Sequence, residues 1–177
     1  MPGVASVGES EVRELDARYF DTPSRSLALA GFAVRRRSGG PDEGWHIKGP
    51  LVDGGRTEQH WPLGDGDPDA VPPAVLAAVA EVTTEPLEPL ARIRNHRTAH
   101  ALLSADGGLI AEFVDDRVSA TDVRAGVDRT WREWEVELGP AAPADHDAVF
   151  AAVDDAVRAV GGREAAYASK LARTLGA

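Results

Sequence analysis

Cysteine is missing from all 177 positions. That excludes a disulfide framework and thiolate chemistry, and it suits a cytoplasmic protein. No stretch approaches the roughly 18 consecutive apolar residues of a membrane-spanning helix. Met1 to Ser10 lacks the basic cluster and apolar run of a secretory signal. Lysine is scarce: of the 19 basic residues only Lys48 and Lys170 are not arginine. They stand there by chance or where a compact ammonium is needed. No G-x4-G-K-[ST] loop occurs, so the glycine-rich stretch 39–44 is a hairpin turn rather than a phosphate loop. No G-x-S-x-G nucleophile motif occurs either, and no repeat, heptad or low-complexity tract.

What is present is 43% hydrophobic and 27% charged residues, the composition of one ordinary domain over 1–177 with a single core. The formal net charge of −10 repels nucleic acid and anionic lipid on average, so neither a nucleic acid duplex nor a membrane is an expected partner. Yet the arginines cluster, at Arg35-Arg36-Arg37 and at Arg92, Arg94 and Arg97. Such groups either hold a small anion in a pocket or pair with the abundant surface acids. Composition alone favours the surface pairing.

Short alternating segments separated by turn residues predict antiparallel strands at 12–20, 32–37, 45–48, 56–63, 91–103, 109–114, 117–120 and 131–138. Turns are expected at 38–44, 49–55 and 104–108. Ser24 to Ala30 reads as a helical turn or a loop. Pro72-Pro73 opens a helix over 74–81. A second helix spans 144–160, with Val149, Val153, Ala156, Val157 and Val160 on one face and Gly161-Gly162 as its stop. A short helix covers 169–175. The class is α+β, mostly antiparallel, and the close strand spacing suggests a barrel or a sandwich.

The segment Trp131 to Leu138 carries the most chemistry. Alternation puts Glu133, Glu135 and Glu137 on one face of a strand, about 7 Å apart, opposite Trp134, Val136 and Leu138. Three like charges in a row need water or a cation. In an open sheet they simply face water. Other strands repeat the pattern: Arg35 with Arg37; Arg56 with Glu58 and His60; Arg92 with Arg94; Glu112 with Asp116 if that strand extends. A closed barrel can turn such faces inward only around water or ionic ligand. Arginine forks suit phosphate oxygens, and carboxylates suit Mg2+ or Mn2+. His96 and His100 form an H-x3-H pair without a third ligand nearby, a weak zinc signal. His46, His60 and His146 read as surface or core histidines.

The ordered set Tyr19-Phe20-Asp21-Thr22-Pro23, Val34 to Arg37, Trp45-His46-Ile47-Lys48, Arg56-Thr57-Glu58, Arg92 to Arg97, Glu133 to Glu137 and Ser169-Lys170 resembles the CYTH superfamily, the triphosphate tunnel metalloenzymes. The resemblance covers nearly the whole chain and is closest to actinobacterial members, which often carry a CHAD domain after the CYTH domain. It implies an antiparallel β-barrel, a tunnel with flanking helices, and hydrolysis or cyclisation of inorganic triphosphate, thiamine triphosphate, ATP or RNA 5′-triphosphates. Carried over by position, Arg35, Arg37, Arg56 and Arg94 would bind substrate phosphates. Lys48, Arg97 and Lys170 would act at the reacting group. Glu133, Glu135 and Asp116 would hold Mg2+ or Mn2+, assisted by Glu112 or Glu137. Tyr19 and Asp21 would hold a corner of the fold.

One departure is expected to matter. The family's N-terminal E-x-E-x-K strand has no clear equivalent. Glu9-Ser10-Glu11-Val12-Arg13 has the spacing but runs straight into the next strand. The chain is therefore expected to be truncated by a strand and a loop, with an open barrel edge and half of the metal site missing. Two functions follow: a metal-dependent triphosphatase, or a non-catalytic module that binds polyphosphate or a nucleotide. An adenylyl cyclase also lies within the resemblance, and a homodimer is one open assembly. A carrier of apolar ligands is disfavoured by the charged rows.

Overall fold

The computed structural model describes residues 1–52 and 55–176, without the side chains of 51, 52 and 55. In chain order the elements are β1 (Ser6–Asp21), α1 (Ser26–Leu29), β2 (Ala33–Ser38), β3 (Gly44–Val52), β4 (Gly55–Trp61), α2 (Pro73–Ala78), β5 (Glu88–Leu103), β6 (Leu109–Asp122), β7 (Val127–Leu138), α3 (His146–Ala159) and α4 (Lys170–Leu175). The strands form one seven-stranded sheet in the order β4-β3-β2-β1-β5-β6-β7. The α+β, antiparallel class is as expected. The sheet is open, not a closed barrel: among the described residues no ladder joins its edges, β4 and β7. Among the described residues no helix is long and apolar enough to cross a membrane.

Two strands are longer than their alternation suggested. β1 takes in Glu9 to Arg13 as one continuous strand with Tyr19 and Phe20, as the lack of any turn residue between them requires. β6 joins the two segments expected at 109–114 and 117–120, because Asp115 and Asp116 between them keep the extended backbone. The turn expected within 49–55 is narrower, since β3 continues to Val52 and β4 starts at Gly55; its centre, 53–54, lies outside the described residues.

The chain divides into two compact units. One holds 14–95, 119–130 and 169–177. Its apolar centre is Phe20, Leu27, Val34, Trp45, Ile47, Val75 and Val79. Pairing sets this up: Phe20 lies opposite Val34, and Val34 opposite Ile47. α1 contributes Leu27 and α2 contributes Val75, with Pro73 in the first turn of α2, where its missing N–H costs nothing. Each such side chain, fully buried, is worth about 1.5–3 kcal/mol. The β2–β3 hairpin turns through Gly39 and Gly40 at φ 78° and 80°, and a Cβ at Gly39 would strike the carbonyl oxygen of Glu14.

The corner after β1 is held by Asp21, 2% exposed. Its Oδ1 accepts the N–H groups of Thr22 (2.7 Å) and Leu27 (3.0 Å), and its Oδ2 that of Ala28 (3.1 Å). Arg124 closes the same corner: Nη1 donates to the carbonyl of Thr22 (2.8 Å) and Nη2 to that of Asp21 (2.7 Å), with longer contacts to the carbonyls of Glu88 and Pro89 (3.4 Å each).

The other unit holds 1–13, 96–118 and 131–168. Its buried apolar side chains include Ala99, Ile110, Val114, Val118 and Val149. α3 starts at Asp145, whose Oδ1 accepts the Ala148 N–H at 3.0 Å. It ends at Gly161, φ 86°. Its packed face is Val149 with half-buried Val153 and Val157. Ala156 and Val160, expected on that face, are exposed, Val160 by 73%. Val160 is the helix's C-cap and no longer helical, which takes it off the periodic stripe.

Candidate functional site

In the unit that carries β7's second half, the side chains of Asp116, Glu133 and Glu135 converge. One ligand oxygen from each lies within 4.8 Å of the others. Asp116 is fully buried and the two glutamates are half-buried. Alternation explains the meeting: Glu133 and Glu135 project from one face of β7, and Asp116 comes from β6, its neighbour in the sheet. Arg97 of β5 is planted among them. Its Nε and Nη2 donate to the two oxygens of Asp116, both at 2.8 Å, and Nη2 also donates to Glu135 Oε2 at 3.1 Å. Burial alone would lower the Arg97 pKa, but the Asp116 hydrogen bond and the nearby carboxylates outweigh it and raise it. Trp131 Nε1 donates to Glu133 Oε2 at 2.6 Å, fixing that carboxylate.

An all-oxygen donor set at this spacing fits a hard divalent cation such as Mg2+ or Mn2+. Each carboxylate has about four lone-pair positions, so the bond to Arg97 leaves acceptor capacity for an ion. Glu137 is exposed and lies outside this group of three. Glu112 is engaged by Arg13, whose Nη1 and Nη2 reach its two oxygens at 2.9 and 3.0 Å. Arg13 also holds Glu11 at 2.7 Å. Among the described residues no third ligand joins His96 and His100.

The other unit carries a cationic sheet face. Directly paired residues share a face. Tyr19 pairs with Arg35, Arg35 with His46, and His46 with His60. Ala33 pairs with Lys48, and Lys48 with Glu58. By alternation Arg37 and Arg56 join this face. It therefore gathers Arg35, Arg37, Lys48 and Arg56 on one face with Glu58. Lys48 Nζ lies 3.6 Å from Glu58 Oε2, and Arg37 pairs with Asp42. The buried Nε of Arg35 has no protein partner among the described residues.

Two candidates stand elsewhere. Arg94 is exposed. It shares a face of β5 with Arg92, whose Nε and Nη2 bind the two oxygens of Asp16 at 2.9 and 2.5 Å. Asp16 precedes Ala17, the partner of Arg37, and so points to the opposite side of the sheet. Arg94 is thus not brought together with Arg35 and Arg37. Lys170 is the first residue of α4, capped by Ser169, whose Oγ accepts the Ala172 N–H at 3.1 Å. The last turn of α4 is tied down by Arg129, whose Nη1 donates to the Thr174 carbonyl at 2.6 Å.

His46, expected as a surface or core histidine, is a buried one. It is 3% exposed, with Nδ1 3.1 Å from Glu58 Oε1 and Nε2 2.9 Å from the Asp42 carbonyl. Its position two residues before Lys48 on β3 was the available signal, since that alternation alone puts it on the charged face.

The model of the CYTH domain family matches residues 5–174. Two uncharacterized proteins of Mycobacterium tuberculosis, from strains CDC 1551 / Oshkosh and H37Rv, are each 39% identical over 185 residues, covering 98% of this chain. The chain spans 36% of the length of these curated relatives. Among solved structures, a candidate adenylate cyclase from Bacillus halodurans superposes with a TM-score of 0.54 at 16% identity, covering 92% of this chain and 82% of that one. An adenylyl cyclase candidate from Hippeastrum, described as having a dominant triphosphatase activity, gives 0.54 at 15% identity, covering 99% and 85%. The solved structures support the fold, and with the match along nearly its whole length the chain belongs to the CYTH domain family.

Proposed function

We propose that this chain carries the catalytic domain of a metal-dependent hydrolase of a triphosphate substrate, with inorganic triphosphate the first candidate and Asp116, Glu133 and Glu135 as the metal ligands. The observation that carries the reading is their convergence to within 4.8 Å, with Asp116 buried, in a member of a family that includes triphosphatases and adenylate cyclases. A bound Mg2+ or Mn2+ would supply charge neutralisation on the phosphate chain and orientation of the attacking water.

The chain's own residues supply the rest. Arg35, Arg37 and Arg56 present planar forks that match phosphate oxygens. Lys48 presents a point charge on the same face. Arg97 holds Asp116 and Glu135 in place and is a fixed positive charge beside them, so little reorganisation accompanies charge development. Arg94, on the other side of the sheet from Arg35, has no part in this assignment, and Lys170 keeps the role of a further phosphate-directed cation.

The test is phosphate release from inorganic triphosphate and from ATP with Mg2+, Mn2+ or EDTA. Glu135→Gln should lower metal-dependent turnover by no less than the roughly 10–100-fold typical of groups one step removed from a metal, with an unchanged circular dichroism spectrum. Arg35→Glu should abolish triphosphate binding. Full activity in the first variant would move the metal site, and unchanged affinity in the second would move the phosphate site. Triphosphate binding without turnover in any metal would favour the second reading, a polyphosphate- or nucleotide-binding module, which the cationic face of β2, β3 and β4 supports by itself. Release of cyclic AMP from ATP would identify a cyclase.

A further inference from the structure

His46 sits where both ring nitrogens face acceptors. The Asp42 carbonyl lies 2.9 Å from Nε2, and the Glu58 carboxylate 3.1 Å from Nδ1. A neutral imidazole carries one N–H. It can donate to one of these neighbours and must turn a lone pair toward the other. Only the imidazolium fills both contacts.

The surroundings oppose that form. β2 brings Arg35 and Arg37, and β3 itself brings Lys48. β4 brings Glu58 and His60, whose ring centroid is 4.8 Å away and whose Nε2 meets the Glu43 carbonyl at 3.0 Å. Arg56 lies two residues before Glu58 on β4, and from β1 Tyr19 stands opposite Arg35. The Asp42 carboxylate is spent on Arg37. Burial first, then the charge of Arg35, push His46 down to about 4, against the pull of Glu58. Burial would raise Glu58, but Lys48, the His46 hydrogen bond and Arg35 hold it below the usual carboxylate range. At neutral pH the ring is uncharged beside an ionised carboxylate, and one of its two contacts is unfilled by any proton.

Anion binding reverses the balance, because phosphate oxygens on Arg35 and Arg37 offset the charge that keeps the proton away. We propose that His46 and Glu58 make this face a proton-coupled anion site. Seating a polyphosphate on Arg35 and Arg37 lets Nδ1 of His46 take one proton from solvent and donate it to Glu58, while Nε2–H donates to the Asp42 carbonyl. His46 is a positioning residue here. It touches Glu58 rather than phosphate, and its protonation locks the carboxylate that would otherwise compete for Lys48. The proposal rests on the assignment of Arg35 and Arg37 as phosphate-binding groups, and it adds that their affinity rises as pH falls.

Calorimetric titration of the whole chain with tripolyphosphate in EDTA, at about pH 5 in two buffers of different ionisation enthalpy, counts the protons exchanged. Neutralising nearby charge moves a pKa by about one to three pH units. Wild type should therefore take up about 0.4–0.9 proton more per bound ligand than His46→Asn, with Glu58→Gln falling between the two. The ligand's own protons are common to all these proteins and cancel in the difference. Glu58 is 44% exposed, and its Gln replacement can donate an amide N–H to neutral His46, so this variant keeps the local structure. The His46 ring nitrogen signals should titrate near pH 4 in free protein and about one to three pH units higher with ligand. Binding with equal proton counts, or an unmoved His46 midpoint, overturns the coupling and leaves the phosphate site standing. Absence of any binding overturns both.

Discussion

Arg97 to methionine is the most informative single change. The Arg97 side chain is 10% exposed and Asp116 is 0% exposed. The substitution keeps most of the apolar stem volume and strips a buried carboxylate of two donors at 2.8 Å. Removing one partner of a buried pair costs about 3–5 kcal/mol, mostly because the other charge stays behind. The second arm, to the 41%-exposed Glu135, adds about 0–1 kcal/mol. In a chain of this length each kcal/mol moves Tm by about 2–4 °C, so Tm should fall by roughly 6–24 °C. The assay is thermal and urea unfolding near neutral pH in EDTA, so that no divalent ion substitutes for the guanidinium. Adding Asp116→Asn to Arg97→Met should restore part of the loss, because the cost lies in the stranded charge. Mn2+ in place of EDTA should raise Tm more in Arg97→Met than in wild type, since the ion then supplies the missing positive charge. A loss below about 1 kcal/mol, or a double variant weaker than the single one, would refute the view of Arg97 as the neutraliser of a buried acid.

Two further outcomes are expected. Asp21→Ala leaves three backbone N–H groups at the β1–α1 corner without their acceptor and should cost about 1–3 kcal/mol in urea unfolding; a change of a few tenths would show that water replaces the carboxylate. The Arg92 hydrogen bonds hold the Asp16 pKa below its usual value. The unfolded chain then binds that proton first as pH falls, so the contribution to stability is complete above about pH 4 and is lost as pH drops through the lower folded value. The stability gap between wild type and Arg92→Gln should be flat at neutral pH and close in acid, and a gap unchanged down to about pH 3 would contradict it.

Much of this was legible from periodicity. Glu133 and Glu135 share a face because strands alternate, and the extension of β6 brings Asp116 to them. The same rule separates Arg94 from Arg97: three positions apart in one strand, they cannot point the same way, and the structure exposes the first and buries the second. Alternation groups Arg94 with Arg92; the resemblance, carried over by position, set it with the phosphate-binding arginines. Asp21 reads correctly as a corner residue, an expectation that came from the resemblance. The two acceptors of His46 were not legible, because one is a turn carbonyl and the other comes from β4, and neither is fixed by local pattern. The open edge was expected from the lack of an E-x-E-x-K strand, whereas alternation, which specifies faces, could not say which strands form the edges.

The clasp made by Arg124 has a consequence for how the sequence can drift. All four of its acceptors are main-chain carbonyls, at Asp21, Thr22, Glu88 and Pro89. Every residue type provides that oxygen, so side chains at the last three positions can change without touching the clasp, whereas lysine at 124 has no fork to span it. A saturation scan should therefore find one intolerant column at 124 beside permissive ones at 88 and 89. The covariation expected between contacting residues would be absent here, and a tie between distant parts of the chain would leave no paired signature among relatives.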